Sequence, residues 1–188
     1  MKVNHYTLLS LVFLALSLLM KSIPLLDIKV LKFFNTLMID KTFFSYFTEI
    51  GNGLICLAIT VPLLSLISYR TPLNNVKVQT LVFVGLGVGL IVKVLKELTS
   101  LYAVRPGFYE FEDVIYLEPV YLYSSFPSGH AATIFSLFLV WISLAFRNTK
   151  ISNAGLTITL LLIFALMVSL SRVIVAAHWL SDVLGSIA

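Results

Sequence analysis

Charge is what this chain has least of. Asp, Glu, Lys and Arg make up 12% of its 188 residues and 59% are hydrophobic, whereas a soluble domain is about a quarter charged and about half apolar. A solvated globular domain is therefore excluded, and the chain belongs in a membrane. Cysteine is nearly missing as well. The one cysteine, Cys56, sits inside an apolar run, which excludes an internal disulfide and a thiolate metal site. It reads as a small buried hydrophobe. Net charge is only +4 and no basic, solvated face is present, so nucleic acid is not a partner. No small-x-small cleavage site follows the first apolar run, residues 6–20. That run reads as a retained transmembrane helix, and Lys21-Ser22-Ile23-Pro24 as its end at an interface.

Further apolar runs fall at residues 53–68, 79–95, 130–146 and 156–171, and a sixth begins near Ala177. A span needs about 20 apolar residues, so several must borrow from their flanks. Residues 25–50 are rich in Phe and interrupted by charge, the pattern of one or two interfacial helices. A single helix from Leu156 to Ala188 would be about 50 Å long against a hydrocarbon core of about 30 Å. Length thus demands a reversal before His178, yet Val173-Ile174-Val175-Ala176-Ala177 contains no Gly or Pro to mark it. From His178 the final helix would rise only about 16 Å, so a truncated sixth span is expected. The fold expected is an all-α, polytopic bundle of six transmembrane helices plus interfacial helices, with residues 1–188 forming one membrane-embedded domain.

Lys2, Arg70, Lys77, Arg147 and Lys150 lie in short connections without acids and mark the cytoplasmic side. The nine Asp and Glu residues then fall on or near the outer face. Lys21, Lys29, Lys32 and Lys41 on that face run against the rule. Gly85, Gly87 and Gly89 suggest close helix packing, and Trp141 and Trp179 suggest anchors at the interface. The loop bearing Glu110, Glu112, Asp113 and Glu118 reads as solvated.

The outer ends of the helices collect chemistry. Lys93 and Lys96 share a helical face, and Arg105-Pro106 follows in the loop. Pro127-Ser128-Gly129-His130 opens one helix, whose free N–H groups suit an anion. Ser171-Arg172 closes the next, and His178 and Asp182 follow at i, i+4 on one face. A carboxylate one turn from a histidine fixes its tautomer. Ionisable groups at a membrane edge are expensive and point to function. Each element also has a plain reading alone: Arg105 as an interfacial anchor, Ser128 as a helix cap, His178 with Asp182 as a structural pair, the lysines as snorkelling side chains. Their ordered recurrence favours a phosphate site.

The chain here resembles the type 2 phosphatidic acid phosphatases (PAP2), membrane relatives of the vanadium haloperoxidases. The family pattern is Lys-x6-Arg-Pro, then Pro-Ser-Gly-His, then Ser-Arg-x5-His-x3-Asp. The second block is matched by Pro127 to His130 and the third by Ser171, Arg172, His178 and Asp182. The likeness extends from about Thr48 onward. The first block departs: Leu98 stands where the lysine belongs, and the nearest lysine is Lys96, with Lys93 a turn deeper.

The resemblance implies a PAP2/haloperoxidase-like core in which His178 attacks phosphorus and Asp182 orients it. His130 would protonate the leaving oxygen and later activate water, while Lys96, Arg105, Ser128, Gly129 and Arg172 would hold the phosphoryl oxygens. Neither a metal nor another cofactor is implied. Its substrates would be lipid phosphates: an isoprenyl diphosphate, phosphatidylglycerol phosphate, phosphatidic acid or lipid A phosphate. The setting expected is a bacterial inner membrane, with the site facing the periplasm and membrane lipids around the helices. Two alternatives stay open: a lipid phosphotransferase using the same intermediate, and a non-catalytic lipid transporter or binding protein.

Overall fold

The computed structural model describes residues 5–67, 73–117, 119–146 and 154–188. Among these it has eight α-helices: α1 (His5–Ser22), α2 (Pro24–Asn35), α3 (Lys41–Glu49), α4 (Gly53–Ile67), α5 (Leu73–Thr99), α6 (Gly129–Phe146), α7 (Ala154–Ile174) and α8 (Leu180–Ile187). A 3₁₀ turn (Pro106–Tyr109) interrupts the long connection between α5 and α6.

Local chemistry sets most boundaries. Pro24 has no N–H and disfavours helical geometry in the residue before it, so Ile23 is extended (φ −125°) and α2 leaves α1 at 102°. Asp40 caps α3, its Oδ1 accepting from the amides of Thr42 (2.8 Å) and Phe43 (3.2 Å). Asn52 does the same for α4 through the Leu54 amide (3.1 Å). The reversal after α7 uses no glycine. Ala176 adopts a left-handed φ of 54°, and the amides of Ala177 (3.0 Å) and His178 (3.1 Å) both donate to the Arg172 carbonyl. This is the bonding by which helices commonly end, built here on alanine.

Cys56, Leu81, Ile134, Phe135, Leu137 and Val168 join α4, α5, α6 and α7 in one apolar cluster. A second cluster lies beneath the polar end and includes Leu31, Val114, Ala131, Val173, Trp179 and Val183. Truncating a buried leucine such as Leu31 to alanine typically costs about 2–5 kcal/mol. α1 packs along α8. The outward faces stay apolar: Leu8, Leu9 and Leu18 on α1, and Phe83, Leu86 and Leu90 on α5, are exposed. So much exposed hydrocarbon does not suit water and fits lipid.

The expected count of six spans meets a more broken architecture. Among the described residues one helix, Val78–Thr99, is long and apolar enough to cross a membrane, and up to three are if each bent pair counts as one span. The bends at Ile23 and at Gly51-Asn52 fall at the breaks between residues 6–20, 25–50 and 53–68. The apolar stretches Gly129–Val140 and Ile158–Ile174 are shorter. Lys2, Arg70, Arg147, Lys150 and Glu118 lie outside the described residues. Two smaller expectations are corrected. Gly85 packs against Leu57, but Gly87 and Gly89 face open space. Trp179 is buried, its indole N–H donating to the Val104 carbonyl (2.8 Å), and serves the interior rather than the interface.

Candidate active site

The polar end of the bundle is held together by the connection between α5 and α6. Two backbone bonds clasp its arms: the Arg105 amide to the Leu122 carbonyl and the Ser125 amide to the Ala103 carbonyl, both 2.8 Å. Ser124 is left-handed (φ 56°), an uncommon conformation for a residue with a side chain. Its carbonyl accepts from Lys96 Nζ (3.1 Å) and Arg105 Nη2 (3.4 Å).

Arg105 also donates from Nε to the Tyr123 carbonyl (2.9 Å) and from Nη1 to the Ala177 carbonyl (3.2 Å), and it lies 5.3 Å from the Tyr121 ring. The left-handed turn at Ala176 thus ties α7 to this loop. Burial pulls the Arg105 guanidinium below its ordinary pKa, and the Asp182 carboxylate pulls the other way. Lys96 is partly buried, whereas Lys93 and Leu98 are exposed.

Arg172 comes from the last turn of α7. Its Nη1 donates to Thr48 Oγ1 (2.7 Å), which also lies 3.1 Å from Ser171 Oγ, whose own proton goes to the Val168 carbonyl (2.6 Å). Arg172 Nε is buried and has no hydrogen-bond partner among the described residues. Both guanidinium groups line a cavity of about 150 Å³ together with Thr48, Glu49 and Tyr121. A water's share of liquid volume is about 30 Å³, so a tetrahedral anion has room here.

Asp182 is the hub of the buried network. Its Oδ2 accepts from the Ser125 hydroxyl and from the Trp179 amide (3.2 Å), and lies 3.8 Å from His178 Nδ1. Its Oδ1 lies 3.1 Å from Lys21 Nζ, close enough for an ion pair although the angle is not that of a hydrogen bond. His178 is 2% exposed and its Nδ1 has no hydrogen bond among the described residues. In unliganded sites catalytic hydrogen bonds are commonly this loose and tighten with substrate.

His130, the second residue of α6, has its Nε2 3.7 Å from Glu49 Oε1. Ser128 is fully buried, with its amide on Ser186 Oγ (2.8 Å), whose hydroxyl donates to the Asp182 carbonyl (2.6 Å). Gly129 is half-buried beside it. The fold therefore brings Lys96, Arg105, Ser128, Gly129, His130, Arg172, His178 and Asp182 to one end of the bundle. Among the described residues no group of three or more His, Cys, Asp or Glu side chains is arranged to hold a metal ion.

Sequence reasoning missed Thr48, Glu49, Ser125 and Lys21. None belongs to a motif block; the packing of α1 and α3 on the rest of the bundle brings in Lys21, Thr48 and Glu49, and the fold of the α5–α6 connection brings in Ser125.

The sequence profile of the PAP2 superfamily matches residues 77–188, well over half of the chain. The protein belongs to the PAP2 superfamily. Two crystal structures share its fold. The transmembrane PAP2-type phosphatidylglycerolphosphate phosphatase of Bacillus subtilis superposes with a TM-score of 0.69 at 22% identity, covering 98% of this chain and 90% of that one. LpxE of Aquifex aeolicus gives 0.62 at 22% identity, covering 85% and 87%. No curated protein sequence matches. This PAP2 protein thus shares its helical scaffold with structures that include a transmembrane phosphatase, in keeping with its apolar exterior.

Proposed function

We propose that this PAP2 protein hydrolyses a phosphate monoester or diphosphate on a membrane lipid through a phosphohistidine. The observation that carries the reading is the buried His178–Asp182 pair beside a cavity lined by two guanidinium groups. Phosphoryl transfer needs chiefly positioning and charge stabilisation, and both are at hand.

In the first step His178 Nε2 forms a bond to phosphorus while the bond from phosphorus to the lipid oxygen breaks. His130 gives that oxygen its proton. In the second, His130 takes a proton from water as the water oxygen attacks phosphorus. The P–N bond breaks, its electron pair returns to His178, and inorganic phosphate leaves. Asp182 holds the Nδ1 proton of His178 throughout. Lys96, Arg105, Arg172, Ser128 and the Gly129 amide carry the charge of the phosphoryl oxygens, so the chemistry needs no metal.

The enzyme is embedded in the bacterial inner membrane and turns its site outward at the headgroup level. The lipid enters sideways between helices. Phosphatidylglycerol phosphate gains support from the activity in the name of the Bacillus subtilis relative; isoprenyl diphosphate, phosphatidic acid and lipid A phosphate share the chemistry.

The test is phosphate release by purified protein across these lipids, with His178→Ala alongside. Release by the wild type alone, blocked by orthovanadate as a transition-state mimic and unaffected by EDTA, is expected. Equal release by His178→Ala would overturn the assigned nucleophile. Transfer to an added lipid acceptor without net release would instead mark a phosphotransferase, and binding without turnover a carrier.

A further inference from the structure

Lys21 ends α1, outside the residues the family profile matches. Its ammonium lies 3.1 Å from Asp182 Oδ1 and 4.0 Å from the centre of the Phe126 ring. Two further contacts fix α1 and α2 against α8 at this point. Ser17 donates to the Ser181 carbonyl (2.7 Å), and Ser181 donates to Asp27 Oδ2 (2.5 Å). Gly185 makes the approach possible, since a Cβ there would fall 2.5 Å from Phe126 and 2.8 Å from Ser17 Oγ. The end of α1 that carries Lys21 is therefore fixed, while its side chain stays 37% exposed.

Asp182 is 1% exposed, and a carboxylate that deep takes up a proton unless opposing charge or donors keep it ionised. The groups facing it come from five places: Lys21 on α1, Asp27 on α2 through Ser181, Lys96 on α5, Arg105 in the loop, and His178. Arg105 lines the anion cavity, and Lys96 shares the Ser124 carbonyl with it. Both cations are neutralised in part when a phosphate binds. Lys21 lines a different cavity, of about 280 Å³, which includes neither Arg172 nor Glu49. Its charge stays on Asp182 whether or not substrate is present.

We infer that Lys21 is a positioning residue for this reaction: its ammonium keeps the buried Asp182 carboxylate ionised and directed, and thereby keeps the proton of His178 on Nδ1 with the Nε2 lone pair free. Its catalytic consequence rests on the phosphohistidine reading, but the state of His178 is measurable without turnover.

The chain has three histidines, so ¹⁵N-histidine NMR of the full protein in nanodiscs, assigned with His178→Gln, reads each ring separately. Wild type should show His178 as a neutral ring with its proton on Nδ1 between pH 6 and 8. Lys21→Met should replace that signature with a mixture of the two neutral tautomers, and Lys21→Arg should restore it; imidazolium would mean that Asp182 stays ionised without Lys21 and would overturn the inference. In lipid-phosphate assays Lys21→Met should lower kcat about tenfold with KM nearly unchanged, and should move the acid limb of the rate profile to higher pH. Lys21→Gln gives the same readings if methionine disturbs α1. An unchanged His178 signature in these variants would overturn the inference. Failure of wild type to release phosphate would overturn the phosphatase reading and leave the NMR result standing.

Discussion

Thr48 Oγ1 sits 2.7 Å from Arg172 Nη1 and 3.1 Å from Ser171 Oγ, so one hydroxyl on α3 fixes the end of α7. A hydrogen bond to a charged group contributes about 1.5–3 kcal/mol. Thr48→Val keeps the shape and removes the acceptor. The expected result is a roughly tenfold fall in kcat/KM, carried mainly by KM, with Thr48→Ser close to wild type in steady-state assays.

Lys96 and Lys93 should separate cleanly. Lys96 Nζ is bound to the Ser124 carbonyl, which it shares with Arg105, and Lys93 is exposed. We expect Lys96→Met to lower kcat/KM by about a hundredfold, the scale of removing one preorganised donor, and Lys93→Met to stay within twofold. Equal effects would mean the cationic cluster is drawn wrongly.

Gly51 lies against the start of α6. A Cβ added there would be 2.9 Å from His130 Cβ and 3.2 Å from its carbonyl oxygen. Backbone cannot yield as a flexible side chain can, so Gly51→Ala should push His130 aside. A misplacement of about 1 Å can cost about a hundredfold in rate, and kcat should fall on that scale while the protein still inserts. Activity within threefold of wild type would show that the α3–α4 turn has slack.

Glu49 Oε1 is 3.7 Å from His130 Nε2 at the edge of the anion cavity. A carboxylate favours the protonated ring that a general acid must present. Glu49→Gln should lower kcat and draw the alkaline limb of its pH profile to lower pH. A profile that keeps its position would leave Glu49 as a wall of the cavity and no more.

How much of this could be read in the sequence depended on whether a feature was local. His130 follows Pro127-Ser128-Gly129, and His178 and Asp182 are one turn apart, so their placement near one another showed in spacing. The chain reversal before His178 did not. It rests on a left-handed Ala176, which costs about 1–2 kcal/mol for a residue with a Cβ. Local bonds help, two amides meeting the Arg172 carbonyl, but the tertiary support is Arg105 on the Ala177 carbonyl.

Lys21 and Thr48 escaped notice for a related reason. A lysine closing an apolar helix has the same sequence whether it meets a headgroup or a buried carboxylate. The breaks at Pro24 and Gly51 were legible in composition, between residues 6–20, 25–50 and 53–68; the angles of 102° and 71° at which the helices part there were not.

The seam between α1 and α8 has a consequence for biosynthesis. Ser17 and Ser181 are 164 positions apart, so the ion pair beside them closes only after nearly all the intervening chain has been made. An inserting chain can already carry Arg105, His130 and Arg172 at the membrane surface while lacking His178 and its carboxylate. On the proposed reading such a chain can hold a phosphate but lacks the histidine that attacks it. Competence therefore arrives late and all at once, when the eighth helix docks against the first.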